Sequence, residues 1–500
     1  MISTILMAVT LVAANGGGAS KAAQQVSQKK QQEALVKLKD AAQAAEKGNC
    51  KRVIALAVPL ADRPPAGLPS AFQYWAASLS AGCEAQNQDY DAAYRHVVIA
   101  TRSDAAPDAL WYMRLWLEHH KGDDAAAVAT VEAMSSGRGR ALNAIPRPLL
   151  FDLDTALKKA GNTALRIRLL KVLSADSYIP DDTVLPPDAF KQRYATLLFA
   201  QGQKDEARAV VKSIREPAIV RDMLFEPGLR TLFGPDYDFR ALVERRNAAL
   251  KRIAQEHPDL LEPVVIRSVY LQILGKPQEA LQILNAARAK IDVPNHYSDA
   301  QHQVIWFWNE WASAETMLGK YDDAVAAFRQ ATSKQEDGGA NVSQVINLAA
   351  TQLQFAHPEA ALSTLKAFDD DSRSTSPFGE MQFREVRGCA NSRLGHADKA
   401  NSDLEYLQQH EADAPAALTD MLICMDDVDS AAASYIRRLQ NPEQQAGALI
   451  ELSDFADPPV QLPSYPGQKV LKQLKARADV RAAAAQAGGI RHLNVQDVSY

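Results

Sequence analysis

Apolar positions along this chain recur at spacings of three and four residues and almost nowhere alternate strictly, a pattern that predicts amphipathic helices and little sheet. The helical stretches come in pairs. Between the members of a pair stands a turn residue, and five positions beyond it an alanine. Gly122 is matched with Ala127, Gly202 with Ala207, Gly275 with Ala280, Gly319 with Ala324 and Gly395 with Ala400. Looser copies place Asn87 before Ala92, Ala356 before Ala361 and Asp426 before Ala431. Nine positions after most turns comes a larger apolar side chain: Val131, Val211, Leu284, Phe328, Leu365, Leu404 or Tyr435.

With a degenerate turn at Gly161, successive turns fall about 31–44 residues apart, apart from one doubled gap between Gly202 and Gly275. A period in this range marks a solenoid of stacked helical hairpins. Glycine at the turn accepts the left-handed backbone that ends the first helix. Alanine one turn into the second helix lets the two helices approach closely. The larger residue then fills the groove against the next hairpin. Each hairpin has a face it cannot bury alone, so stacking is obligatory.

These residues resemble the tetratricopeptide repeat. The best copy is Trp308, Trp311 and Ala312, then Gly319, Tyr321, Ala324, Phe328 and Ala331, with Trp311 where the family has Leu and Ala312 where it has Gly. A second is Gly388, Gly395, Ala400 and Leu404, with Arg384 at the family's aromatic position. Other copies are degenerate: Gly161 is followed by Arg166 where alanine belongs, and Gly48 by Val53. The resemblance implies an all-α fold, an α-solenoid wound as a right-handed superhelix, whose first-helix face accepts extended peptides or partner helices. It extends to exported repeat proteins of Gram-negative bacteria.

The rhythm divides the chain. Residues 20–216 read as an N-terminal helical array and 258–441 as a second one. Between them, 217–257 is irregular, with Phe225, Phe233 and Tyr237 before a basic helix carrying Arg245 and Arg246. It reads either as a kinked joint stapled by aromatic burial or as a platform for a partner. Residues 442–500 are expected to hold a polar capping helix over Glu443–Phe455, a Pro-rich segment from Asp457 to Pro466, one or two short helices over Gln468–Gln486 and an extended tail from Gly488.

Composition narrows the class. With 500 residues the chain exceeds what a single core organises. A hydrophobic share of 47% and a charged share of 23% belong to a folded protein. The net charge of −5 disfavours a general nucleic-acid binder, which needs a basic face. No apolar run approaches the ~20 residues of a membrane span. Residues 1–19 read as a secretory signal, an apolar stretch to Ala14 followed by Gly16-Gly17-Gly18-Ala19 but with no basic residue before it. The alternative is a first helix, which would leave the protein in the cytoplasm. Cys50 with Cys83 and Cys389 with Cys424 are each spaced by about one repeat. In an oxidising compartment they read as two disulfides, and otherwise as buried thiols.

Catalytic constellations are missing from the sequence. There is no nucleophile elbow, Walker loop, dinucleotide fingerprint or H-E-x-x-H helix, and no C-x-x-C. Glu118-His119-His120 is the densest metal-capable run, but neighbouring histidines on a helix point about 100° apart. Asp369-Asp370-Asp371 lacks the ligand spacing of a calcium loop. Trp306 lies on a different helix face from Trp308 and Trp311, so it either packs within the superhelix or anchors a partner. The expectation is a scaffold without metal or cofactor that binds a protein or peptide partner in the periplasm. The alternatives are the helical regulatory part of a cell-envelope enzyme and a cytosolic adaptor.

Overall fold

A computed structural model of the protein describes residues 21–497 apart from 183, 235–236, 337–338, 369–374 and 463–466. The expected signal at residues 1–19, its glycine run and the aspartate cluster at 369–371 lie outside the described residues. The fold is all-α. Strand structure among the described residues amounts to Asp454–Phe455, paired in parallel with His492–Leu493, and an isolated bridge between Glu336 and Gly339.

The chain forms two compact units that divide between Asp181 and Asp182. Among the described residues the first holds four hairpins. Lys21–Glu46 is followed by Cys50–Asp62 and Ser70–Gln86 by Tyr90–Ala100, then Asp108–His120 by Asp124–Gly137 and Arg147–Lys159 by Thr163–Leu173. The second unit opens with Asp188–Ala200 and Lys204–Lys212, then Pro217–Phe225, a 3-10 turn at Leu229–Leu232 and the long helix Phe239–Glu256. Regular pairing resumes with Glu262–Ile273 and Pro277–Ile291, Ala300–Met317 and Tyr321–Thr332, and Ser343–Gln354 and Pro358–Leu365. Pro377–Arg393 then pairs with Ala397–Gln409 and Pro415–Cys424 with Val428–Gln440.

Residues 217–257 lie inside the second unit. The reason is in their contacts. Arg246 reaches back with its guanidinium to the Val184 carbonyl at 2.6 Å and to Glu216 at 3.1 Å. Helix Pro217–Phe225 also packs on Asp188–Ala200, while a buried Asp188 carboxylate accepts the Arg215 and Glu216 amides that open that helix.

Each turn is built by local chemistry. The turn glycines take left-handed backbone, Gly122 at φ +74° and Gly395 at φ +73°. In several hairpins the next residue caps the second helix. Asp123 accepts the Ala126 amide, Asn162 that of Leu165 and Asp427 that of Ser430. Ala356 and Asp426 adopt the left-handed conformation without being glycine. In the second hairpin the left-handed residue is Gln88, not Asn87, so the alanine five positions on is Ala93. Ala127, Ala207, Ala280, Ala324 and Ala400 are all buried, as are Val131, Val211, Leu284, Phe328, Leu365 and Tyr435. Leu404 is only half-buried; Leu407 takes the fully buried position on that helix.

Disulfides join Cys50 to Cys83 and Cys389 to Cys424, with Cα atoms 5.0 and 5.7 Å apart. Each links helices that lie next to one another in the array.

The C-terminal part carries a short helix, two further helices and an extended tail. The capping helix is shorter, Gln445–Leu452, and packs against Pro217–Phe225. Helices Gly467–Ala476 and Ala478–Ala487 follow. The tail does not run free, because its strand pairs with Asp454–Phe455 and buries Leu493 and Val495.

Candidate interaction surface

First helices of the second unit carry a row of polar side chains that sequence periodicity alone did not single out. Gln272 donates to a Glu310 carboxylate oxygen at 2.9 Å and accepts from the Ser313 hydroxyl at 2.7 Å. Asn309 donates to Glu310 at 3.2 Å and accepts from Asn347 at 3.0 Å. These groups come from three successive first helices, Glu262–Ile273, Ala300–Met317 and Ser343–Gln354. Buried carboxamides and carboxylates are stable there because each finds a partner. The only sequence signal was polar residues inside otherwise apolar stretches, which a single chain cannot separate from solvent-facing ones.

Trp306 stands on the same helical stripe, three, four and seven residues before Asn309, Glu310 and Ser313. Its side chain is 40% exposed. Its neighbours serve other ends. Phe307 is fully buried, Trp308 and Trp311 are half-buried, and the Arg288 guanidinium lies 5.3 and 5.5 Å from their ring centroids. Phe307 is the deepest member of this group and meets both tryptophan rings, at 5.2 and 5.9 Å between centroids.

A second cluster lies at the last hairpins. Glu385 on Pro377–Arg393 is buried, and burial followed by the facing charge of Asp420 pushes its carboxyl up to about 8. Asp420, on Pro415–Cys424, is raised by burial and by Glu451, with Arg438 opposing. Arg438 pairs with both Glu451 oxygens, one at 2.8 Å, and donates to Thr419 at 3.0 Å. On the same helix as Glu385, Arg384 and Arg387 instead engage Asp403.

The remaining sequence candidates separate. Phe225 is 1% exposed and fills the core, so it offers no partner surface. Phe233 and Tyr237 meet edge to face at 4.9 Å and are half-buried, which favours the packing role over the platform. Glu118, His119 and His120 point three ways. Glu118 accepts from Arg114 at 2.8 Å, His119 pairs with Asp124 at 3.0 Å, and His120 stacks on Trp116 at 4.7 Å. Among the described residues no group of three or more His, Cys, Asp or Glu side chains is placed to hold a metal ion. Nor is any helix long and apolar enough to cross a membrane.

No family model and no curated protein matches the chain. It is similar to solved structures. One is yeast Tom70, at 12% identity over 91% of this chain and 99% of that one, with a TM-score of 0.32. Another is the APC/C hetero-tetramer Cut9–Hcn1, at 12% identity over 90% and 85%, TM-score 0.30. A third is Naa15/Naa10 bound to HypK-THB, at 13% over 91% and 88%, TM-score 0.20. TM-scores this low carry no weight of their own. The chain's own hairpins, with left-handed turns and buried alanines at the crossings, define an all-α fold of stacked helical hairpins.

Proposed function

We propose that the protein is a non-catalytic scaffold that binds an extended peptide or a partner protein through the first-helix face of its second unit. One observation carries the reading. Trp306, a large aromatic left half in solvent, stands on the stripe of first-helix residues that links three consecutive repeats. Exposed tryptophans are among the residues on which interfaces concentrate binding energy. Stacked first helices present a long contact surface without requiring catalytic groups. The two disulfides support an oxidising compartment, and with the apolar start of the sequence they favour the periplasm.

The test is a panel of extended peptides of basic, neutral and acidic character, measured by fluorescence anisotropy against the wild type and Trp306→Ala. A binder should lose about tenfold or more in affinity in the variant, the cost of an interface anchor. Equal affinity for both proteins removes this surface from the account. Turnover in a screen of peptidoglycan, peptide and ester substrates would instead favour the enzyme reading.

A further inference from the structure

Two turn glycines of the second unit differ from the others. A Cβ added at Gly319 would meet Val460 Cγ1 at 3.0 Å, and one at Gly275 would meet Gln496 at 3.5 Å. The turn glycines Gly48, Gly122, Gly161, Gly202 and Gly395 have nothing within 4 Å at the same point. Gly275 and Gly319 therefore serve as bare floor under another part of the same chain as well as accepting left-handed backbone.

That other part is held by a short set of contacts. The Gln496 amide donates to the Ile273 carbonyl at 2.8 Å, and its side chain to the Asp457 carbonyl at 2.9 Å. The Asp454 and Ala456 amides donate to the Arg491 and Val495 carbonyls, both at 2.9 Å. From the first half of the unit, Arg240 donates to the Asn494 carbonyl at 3.1 Å and Arg230 to that of Gly488. Most of the grip is thus backbone hydrogen bonding to an extended segment, the way a sheet edge or peptide groove holds a ligand.

We propose that Asp454–Val460 and Gly488–Gln496 form a releasable clasp, an intrachain ligand that covers the turn edge at Gly275 and Gly319 and ties the end of the array to Arg230 and Arg240. The ladder at its centre pairs two residues with two, and its apolar burial rests mainly on Leu493 and Val495. Arg491 stands half-buried near the like charge of Arg230, which weakens the hold. Segments with so little burial open at far lower cost than the helices beneath them. Release would uncover the turn edge without unfolding the hairpins. The proposal stands apart from the partner-binding reading, since it concerns only contacts within the chain.

Hydrogen exchange on the full-length protein, read by mass spectrometry, tests it. Peptides spanning 454–460 and 488–497 should take up deuterium together, and before the helix Ala300–Met317. Arg230→Ala combined with Arg240→Ala should speed both by about tenfold and leave that helix unchanged. Gly319→Ala and Gly395→Ala provide a matched pair, since φ is +71° and +73°. Only the first adds a methyl group under the clasp, so only the first should speed clasp exchange. Exchange of the two segments together with the helix, or independently of each other, overturns the proposal. An equal effect of the two alanines on the clasp does the same.

Discussion

Glu385→Gln is a substitution whose effect on stability should reverse with pH. The glutamine keeps the shape of the side chain but cannot ionise. In the wild type the buried carboxyl, pushed up to about 8, keeps its proton in the fold long after the unfolded chain has released it. Between the ordinary glutamate range near ~4.3 and about 8, the folded state therefore binds more protons than the unfolded state, and stability falls as pH rises. The slope for one such group is about 1.4 kcal/mol per pH unit, so the loss from pH 5 to 8 is a few kcal/mol. The contribution is complete at low pH and gone above the folded value. The groups facing this site are Asp420, Glu451, Arg438 and Tyr435, and burial pushes Asp420 and Tyr435 up as well. Thermal unfolding at pH 5, 6, 7, 8 and 9 is the assay. Near pH 5 the variant should equal the wild type or fall slightly below it, and at pH 8–9 it should be the more stable. The wild-type curve also contains His96, held between Glu84 and Asp62 and raised despite its burial, so the difference between the two proteins is the quantity to read. Parallel curves across this range would refute the reasoning.

Other expectations follow from the packing. Ala324→Leu, at a fully buried helix crossing, should lower stability by about 1–3 kcal/mol through overpacking, while Ala326→Leu on the exposed face of the same helix should be nearly neutral in denaturant titration. Gly395→Ala meets no atom but must hold φ +73°, so its cost should be the backbone term alone, about 1–2 kcal/mol. Reducing both disulfides should cost about 3–4 kcal/mol each for loops of 33 and 35 residues, seen as a lower unfolding midpoint with reductant. Thiol titration of the unfolded, unreduced protein should find none free among the four cysteines.

Much of the fold could be read in the sequence because its grammar is local. A left-handed turn needs glycine or a tolerant substitute, and a helix crossing needs alanine, so both leave marks one position wide. The reading slipped where the mark was absent: without a glycine, Asn87 was the nearer choice, yet Gln88 takes the left-handed backbone. What stayed hidden depends on distant partners. Arg246 holds Val184 and Glu216, 62 and 30 residues away along the chain. A tail with Gly488-Gly489 and no periodicity reads as extended, and nothing local announces that Gln496 will reach Ile273. The candidate interaction surface was legible only as Trp306. Its polar neighbours emerged once three helices were laid side by side, and Phe225, grouped with it by composition, is core.

The proposed scaffold meets its protein partner at the stripe around Trp306. The direct measurement places a photo-crosslinking amino acid at exposed His302, one helical turn before Trp306, and irradiates cells that express the full chain. The account predicts a discrete adduct with one protein that disappears when Trp306→Ala is added. No adduct, or an adduct indifferent to that substitution, would contradict it.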